Sequence, residues 1–447
     1  MSLRNFLEKK KIKEEILEIK KEVSTRFEIS FILDKFDKGG PVILFEKPEK
    51  YKVKVVANVC GTRRRICEAS GVHQNKLYST LMKAWRSPSQ PKITEEGSVM
   101  DVVEKPDLSK LPILTHFKDD AGPYITSAVI HAKSLDGKTE NVSVHRLQVI
   151  DKKHLAIRLV PRHLYKLWMQ AKEAKKDLDV AISIGVHPAV MLAASSPVPF
   201  GISEFHVADT LMNGNLCLVG CENVNANAPA EAELVLEGRI STSKEVVEGP
   251  FVDITGTYDT ERRQPLVEII GIMHREDYLY QAILPSSAEH RLLMGLPREA
   301  LIWNSVSKVV PEVHAVNLSL GGSGWLHAII SVGKQLEGDG KNALLAAFAA
   351  HPSLKHAVIV DSDINPYDIH DVEWAIATRF QASEDMTIIR NIRGSTLDSS
   401  ADQNTGSTTK VGIDATRPLD KPKEKFMRAK IPTGKHIEKL VDKLSLR

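Results

Sequence analysis

The sequence predicts an α/β (α+β) protein in three parts: a small N-terminal α/β module, a central β-rich, barrel-like domain and a C-terminal α/β domain. Three observations predict it. A chain of 447 residues exceeds what one hydrophobic core ordinarily organises. Between Asp101 and about Pro285, short apolar runs follow one another with few helical stretches between them. Beyond residue 310 the pattern changes to strand, helix, strand.

The N-terminal module is placed at 1–100. Ile12, Ile16, Ile19 and Val23 recur at helical spacing among lysines and glutamates, which predicts an amphipathic surface helix. Its polar face carries both signs, so it does not read as a membrane anchor. PVILFE at 41–46 and YKVKVVANV at 51–59 read as half-buried strands.

The central domain is placed at 101–296. Its strand candidates are YITSAVIHAKS, NVSVHRLQVID, HLAIRLVP, DVAISIGVHP, AELVLEGRI and PLVEIIGIMHRED, separated by turn residues such as Asp136-Gly137. Many short strands around one helix candidate, LYKLWMQAKEAKK at 164–176, predict a barrel or sandwich. A linker helix is expected at 297–310, with Pro297 in its first turn.

The C-terminal domain is placed at 311–447. AVNLSL and HAVIVDSDI read as strands on either side of the helix KNALLAAFAAH, which predicts a parallel sheet. The tail from Asp414 is rich in Pro, Lys and Arg and reads as loop plus a terminal helix, HIEKLVDKLSL. No internal repeat is evident.

Composition removes several function classes. With 60 basic and 57 acidic residues the net charge is +3, so nothing points to nucleic acid or an acidic membrane surface as partner. The four cysteines, Cys60, Cys67, Cys217 and Cys221, contain no Cys-x-x-Cys pair and are expected as free thiols. No apolar run approaches the roughly 20 residues a bilayer span needs. The opening residues lack the apolar core of a signal peptide, so a cytoplasmic location is expected.

Two tempting motifs fail. Gly321-Gly322-Ser323-Gly324 has neither the lysine of a P-loop nor dinucleotide-fingerprint spacing, and is expected to be a strand-to-helix turn. Asp361-Ser362-Asp363-Ile364-Asn365 begins like a calcium loop, but Pro366 and Val372 stand where that loop needs Gly and Glu.

Two stretches remain. Asn141-Val-Ser-Val-His-Arg146 is followed by Pro161-Arg162-His163. Ser195-Ser-Pro-Val-Pro-Phe-Gly-Ile-Ser-Glu204 is followed by Glu248-Gly-Pro-Phe-Val-Asp253. An amide oxygen, an imidazole and a carboxylate suit manganese or magnesium on a phosphate. An arginine with two carboxylates suits proton transfer. Taken singly, each of these polar residues reads as a solvated surface group.

Together, in order and spacing, they resemble the UbiD family of prenylated-FMN decarboxylases. The segments PVILFEKPEKYKVKVVANVCGTRRRI, DSDINPYDIHDVEWAIATR and STTKVGIDAT are similar to that family's outer parts, so the likeness covers nearly the whole chain. It implies a prenylated-FMN-binding, split-barrel-like central domain and a C-terminal domain that serves homo-oligomerisation, as a dimer or a larger assembly such as a hexamer. A flavin prenyltransferase would supply the cofactor. Asn141, His163 and Glu204 would hold Mn2+ or Mg2+ on the cofactor phosphate, with a potassium ion alongside. Arg146, Arg162, Ala194, Ser195, Ser196, Pro197 and Lys410 would also contact the cofactor.

The resemblance further implies a catalytic set of Arg146, Glu248 and Asp253. Arg146 would grip the substrate carboxylate, Glu248 would deliver the proton that replaces carbon dioxide, and Asp253 would relay protons or orient Arg146. The form His145-Arg146-Leu147-Gln148 looks most like archaeal members acting on trans-anhydromevalonate 5-phosphate, with Arg158, Arg162 and His145 available to a substrate phosphate. The alternatives are a 4-hydroxy-3-polyprenylbenzoate or other aromatic acid substrate, and a flavin-binding redox protein or non-catalytic carrier. Asn141 and Arg146 are an odd number of residues apart, so a regular strand would point them to opposite faces. Either Asn141 sits at a strand end or a bulge intervenes.

Overall fold

The computed structural model describes residues 1–12, 14–429, 431, 432, 434, 437 and 441. The N-terminal module begins with the helix Leu3–Ile12. Beyond Ile12 the expected amphipathic helix is not formed. Ile16–Ile19 is instead a strand, paired in parallel with Val42–Phe45, and Val23 bridges Pro48. β-Branched residues serve a pleated strand better than a helix face, and the available partner strand decides between them. Val55–Ala57 joins the same sheet, which is completed in parallel by Tyr280–Ala282 from far along the chain. The N-terminal module therefore shares its sheet with a strand contributed by the central region.

The central region is a closed barrel. Strands Leu234–Glu248, Leu178–Ile184, Tyr124–Lys133, Glu140–Val149, His154–Ile157 and Arg262–His274 pair in that order, and Leu234–Glu248 pairs back onto Arg262–His274. Closure leaves no edge among these six; Val102–Glu104 pairs outside them on Arg262–His274. One apolar cluster draws on all six strands, with Ile130, Leu147, Leu155, Ile182, Leu236 and Val267 among its buried members. The helix His163–Glu173 packs against the barrel, where the Trp168 indole donates to the Ser241 carbonyl.

Of the two irregularities considered for Asn141, the strand end is present: Asn141 is next to the first residue of Glu140–Val149. The register shift between Ile125 and Ala128 puts the extra residue in the opposing strand, opposite Arg146, and not between Asn141 and Arg146.

The helix expected from Pro297 starts earlier. It runs Ala288–Val306 with Pro297 inside it, because Ser287 caps the true start by accepting from the His290 N–H. The C-terminal sheet has the order Val313–Leu318, His327–Val332, His356–Asp361, Ser407–Ala415, Met386–Arg393. Its three middle strands are parallel and both outer pairs antiparallel, so the expected parallel sheet is mixed.

The glycine-rich run 321–324 turns strand into strand, not strand into helix. A Cβ on Gly322 would lie 2.3 Å from His327 Cβ, so the hairpin needs glycine there. Asp361 and Asp363 hold Arg379 at 2.5 and 2.7 Å. The expected terminal helix HIEKLVDKLSL falls largely outside the described residues. All four cysteines are free thiols.

Candidate functional site

A cavity of about 820 Å³ opens between the barrel and the C-terminal domain. Asn141, Arg146, Arg162, His163, Ala194, Ser195, Ser196, Pro197, Glu204 and Asp253 all line it, so the two surviving sequence stretches meet at one place. The helix Pro188–Ala194 ends at this wall, and Ser195 and Ser196 spend their hydroxyls on its last carbonyls, those of Met191 and Leu192. The wall is thus presented to the cavity by small side chains.

Arg146 anchors one end. Its Nε and Nη2 donate to the two oxygens of Glu248 at 2.9 and 3.1 Å, a bidentate pair. Nη1 reaches Asp253 at 3.3 Å, and Nη2 also reaches Asp259 at 3.1 Å. The ring of Phe251 lies under the guanidinium, 5.2 Å away. Tyr124 donates its hydroxyl to Glu248 at 3.2 Å, and the Gly249 N–H donates to both Tyr124 and Gln148. Burial would lower the Arg146 guanidinium, but Glu248, Asp253 and Asp259 outweigh it and raise it above its ordinary value.

Glu248 is fully buried behind Arg146 and does not line the cavity. A proton donor must reach the reacting carbon. Asp253, by contrast, lies on the cavity wall and accepts from the Ile254 N–H at 2.6 Å.

The other end is a carboxylate without a guanidinium. Glu204 opens the helix Glu204–Leu211, capped by the Ser203 hydroxyl, and is nearly inaccessible. It accepts from the Val142 N–H at 2.6 Å and from the Asn141 amide at 3.0 Å. His163 Nδ1 stands 3.9 Å from it, beyond hydrogen-bond range. Burial pushes the Glu204 carboxyl up, against His163 and the Val142 N–H. A buried carboxylate, an imidazole and an amide that can present oxygen after a half-turn form a donor set that fits a hard divalent cation. Among the described residues, no cluster of three His, Cys, Asp or Glu side chains with metal-site geometry exists, so this amide-containing set is the candidate.

Two cations on the wall lack a carboxylate partner among the described residues: Arg162 and Arg298. Burial pushes the Arg298 guanidinium down to about 10, with Arg162 adding to the effect, and the group lies over the Trp325 ring. Arg158, by contrast, is spent on Asp259, and His145 on the Arg158 carbonyl. Lys410 does not line the cavity. Its ammonium donates to the Pro352 carbonyl at 2.6 Å, next to Ser353, which does line it.

Sequence reasoning missed Tyr124, Gln148, Asp259, His290 and Arg298. Gln148 carried a signal, because it stands two residues from Arg146 and so on the same strand face. Asp259, His290 and Arg298 reach the cavity through tertiary packing alone, and Tyr124 is buried against Glu248.

Known proteins match nearly the whole chain. The family model of the 3-octaprenyl-4-hydroxybenzoate carboxy-lyase Rift-related domain matches residues 91–288. The N-terminal and C-terminal domain models of the same carboxy-lyase match 7–85 and 291–415. The anhydromevalonate phosphate decarboxylase of Methanothermobacter thermautotrophicus is 44% identical over 427 residues, covering 95% of this chain and 99% of that protein. The UbiD-class enzyme HmfF from Pelotomaculum thermopropionicum, solved with FMN, is 40% identical and superposes with a TM-score of 0.96 over 99% of this chain and all of that one. An evolved dimeric form of HmfF, solved with prFMN, is 38% identical, covers 96% of this chain and 97% of that one, and superposes with a TM-score of 0.90.

Proposed function

This chain belongs to the UbiD family of decarboxylases, and we propose that its substrate is trans-anhydromevalonate 5-phosphate, from which loss of carbon dioxide leaves isopentenyl phosphate. The strongest support is Arg146, fixed among Glu248, Asp253 and Asp259 in the same cavity that gathers Asn141, His163 and Glu204.

Prenylated FMN, when bound, supplies the electron sink for the pair that carbon dioxide leaves behind. The chain does the rest. Arg146 binds the substrate carboxylate and stays charged throughout. Glu248, buried with Tyr124 and Gln148, fixes the plane of that guanidinium. Asp253 delivers the proton to the carbon that has lost its carboxyl group. Asn141, His163 and Glu204 would hold Mn2+ or Mg2+, which would neutralise the charge of the cofactor phosphate. Arg162 and Arg298, without a carboxylate partner among the described residues, supply positive charge for a phosphate, which favours the phosphorylated acid over an aromatic one. A cytoplasmic homo-oligomer belongs to the same proposal.

The test is mass spectrometry of the small molecule released on denaturing protein co-produced with a flavin prenyltransferase. Prenylated FMN is expected, together with carbon dioxide release from trans-anhydromevalonate 5-phosphate. Nicotinamide oxidation with no carbon dioxide released would replace this reading with redox work.

A further inference from the structure

Arg146 has five N–H donors. Four of them are already taken: Nε by Glu248, Nη2 by Glu248 and Asp259, and one on Nη1 by Asp253. One free donor cannot make the two parallel bonds of a guanidinium–carboxylate fork. A substrate carboxylate arriving at the Nη1–Nη2 edge must therefore displace a resident carboxylate.

The three residents differ in what they would lose. Glu248 is fully buried, and besides Arg146 it meets the neutral Tyr124 hydroxyl, so release would strand a buried charge. Asp253 is tied to the Ile254 N–H. Asp259 alone has other cations at hand. The oxygen that meets Arg146 also meets Arg158 Nε at 3.3 Å, and its second oxygen meets Arg262 Nη2 at 3.1 Å. These three arginines outweigh burial and hold the Asp259 carboxyl below its ordinary value. Asp259 ends a two-stranded hairpin, Phe251–Val252 against Tyr258–Asp259, so it is carried on a small unit beside the acid Asp253.

We propose that Asp259 is a displaceable counter-ion: it occupies the carboxylate-binding edge of Arg146 until substrate arrives, then passes to Arg158 and Arg262. This rests on the reading of Arg146 as the carboxylate grip. The arrangement keeps Arg146 paired when no substrate is bound, and makes substrate compete with a carboxylate of the same chemistry. Asp259 is thus a positioning residue that sets affinity, and Arg158 acts through it.

The two variants have opposite signs. In cofactor-loaded protein turning over trans-anhydromevalonate 5-phosphate, Asp259→Asn lowers KM about 3- to 10-fold, in excess of any change in kcat. Arg158→Met raises KM by a similar factor, because Asp259 then leans more heavily on Arg146. Arg158→Lys restores most of the loss. Combining Asp259→Asn with Arg158→Met gives the KM of Asp259→Asn alone, since Arg158 then has nothing to receive. A KM that rises or stays level in Asp259→Asn, or effects that simply add in the double variant, overturns the proposal. Arg146→Gln separates the layers: if it leaves KM unchanged, the carboxylate-grip reading itself is wrong. If it abolishes turnover while Asp259→Asn leaves KM level, only the counter-ion role is lost. Flavin absorbance of each variant shows whether cofactor loading is intact.

Discussion

The two ends of the cavity handle charge in opposite ways. At the Arg146 end, Glu248, Asp253 and Asp259 surround one guanidinium, and Arg158 and Arg262 compensate the last of them. At the other end, Glu204 meets only an amide and a backbone N–H, while His163 stands off at 3.9 Å. Among the described residues, Arg162 and Arg298 face no carboxylate there. The first end is complete before anything binds, as a group that must hold a fixed orientation requires. The second is completed by what binds, because buried unpaired charges of both signs are costly until a ligand supplies the counter-charge. On the proposed function, one cavity thus combines a preorganised chemical end with a ligand-dependent anchoring end.

The largest effect expected tests the chemical end. Asp253→Asn should cut kcat by about 10²- to 10⁴-fold while flavin and metal stay bound. Loss of flavin in this variant would erase the distinction between the ends. Glu248→Gln should also keep the cofactor and lose turnover, because Arg146 loses half of its bidentate anchor.

The anchoring end should fail in the opposite manner. Glu204→Gln should lower metal and flavin loading at least about 10-fold, read by metal analysis and absorbance. A fully loaded but inactive Glu204→Gln protein would place Glu204 in the chemistry instead. Arg298→Met should raise KM for the phosphorylated acid about 10-fold or more, with no comparable change for its dephosphorylated analogue. Loss of flavin in that variant would assign Arg298 to the cofactor phosphate.

The smallest effect lies beyond the anchoring end. Burial pulls the Lys410 ammonium down to about 8 from its ordinary 10.5, so the unfolded chain binds that proton more tightly than the folded one. Stability is therefore withheld below pH 8 and recovered as pH rises from about 8 to 10.5. Lys410→Met should raise Tm by a few degrees at pH 7, and the gain should vanish near pH 10.5. A gain independent of pH would mean that packing, not charge burial, is responsible.

The anchoring and chemical residues were legible because they sit in short motifs whose order survives in the chain. Asn141, Arg146, His163, Glu204 and Asp253 all reached the one cavity. The strand-end position of Asn141 was legible too, since period-2 alternation would otherwise send Asn141 and Arg146 to opposite faces. What escaped was decided by partners distant in sequence. Ile16 and Ile19 fit a helix pattern until Val42–Phe45 offers a ladder. Pro297 looked like a helix start because nothing local reveals that Ser287 caps the same helix earlier. Asp259 gave no signal, since only the hairpin with Phe251–Val252 brings it to Arg146. Glu248 was legible as a member of the site but not as its buried member, because burial follows from how Tyr124 and Gln148 close over it.

The central claim is that the cavity replaces a carboxyl group with a proton supplied from its Arg146 end. Cofactor-loaded protein should be given trans-anhydromevalonate 5-phosphate in D2O and the product read by NMR. The account predicts isopentenyl phosphate carrying one deuterium, on the carbon that lost the carboxyl group, formed in step with carbon dioxide. Unchanged acid, or an oxidised product with its carboxyl group intact, would contradict it.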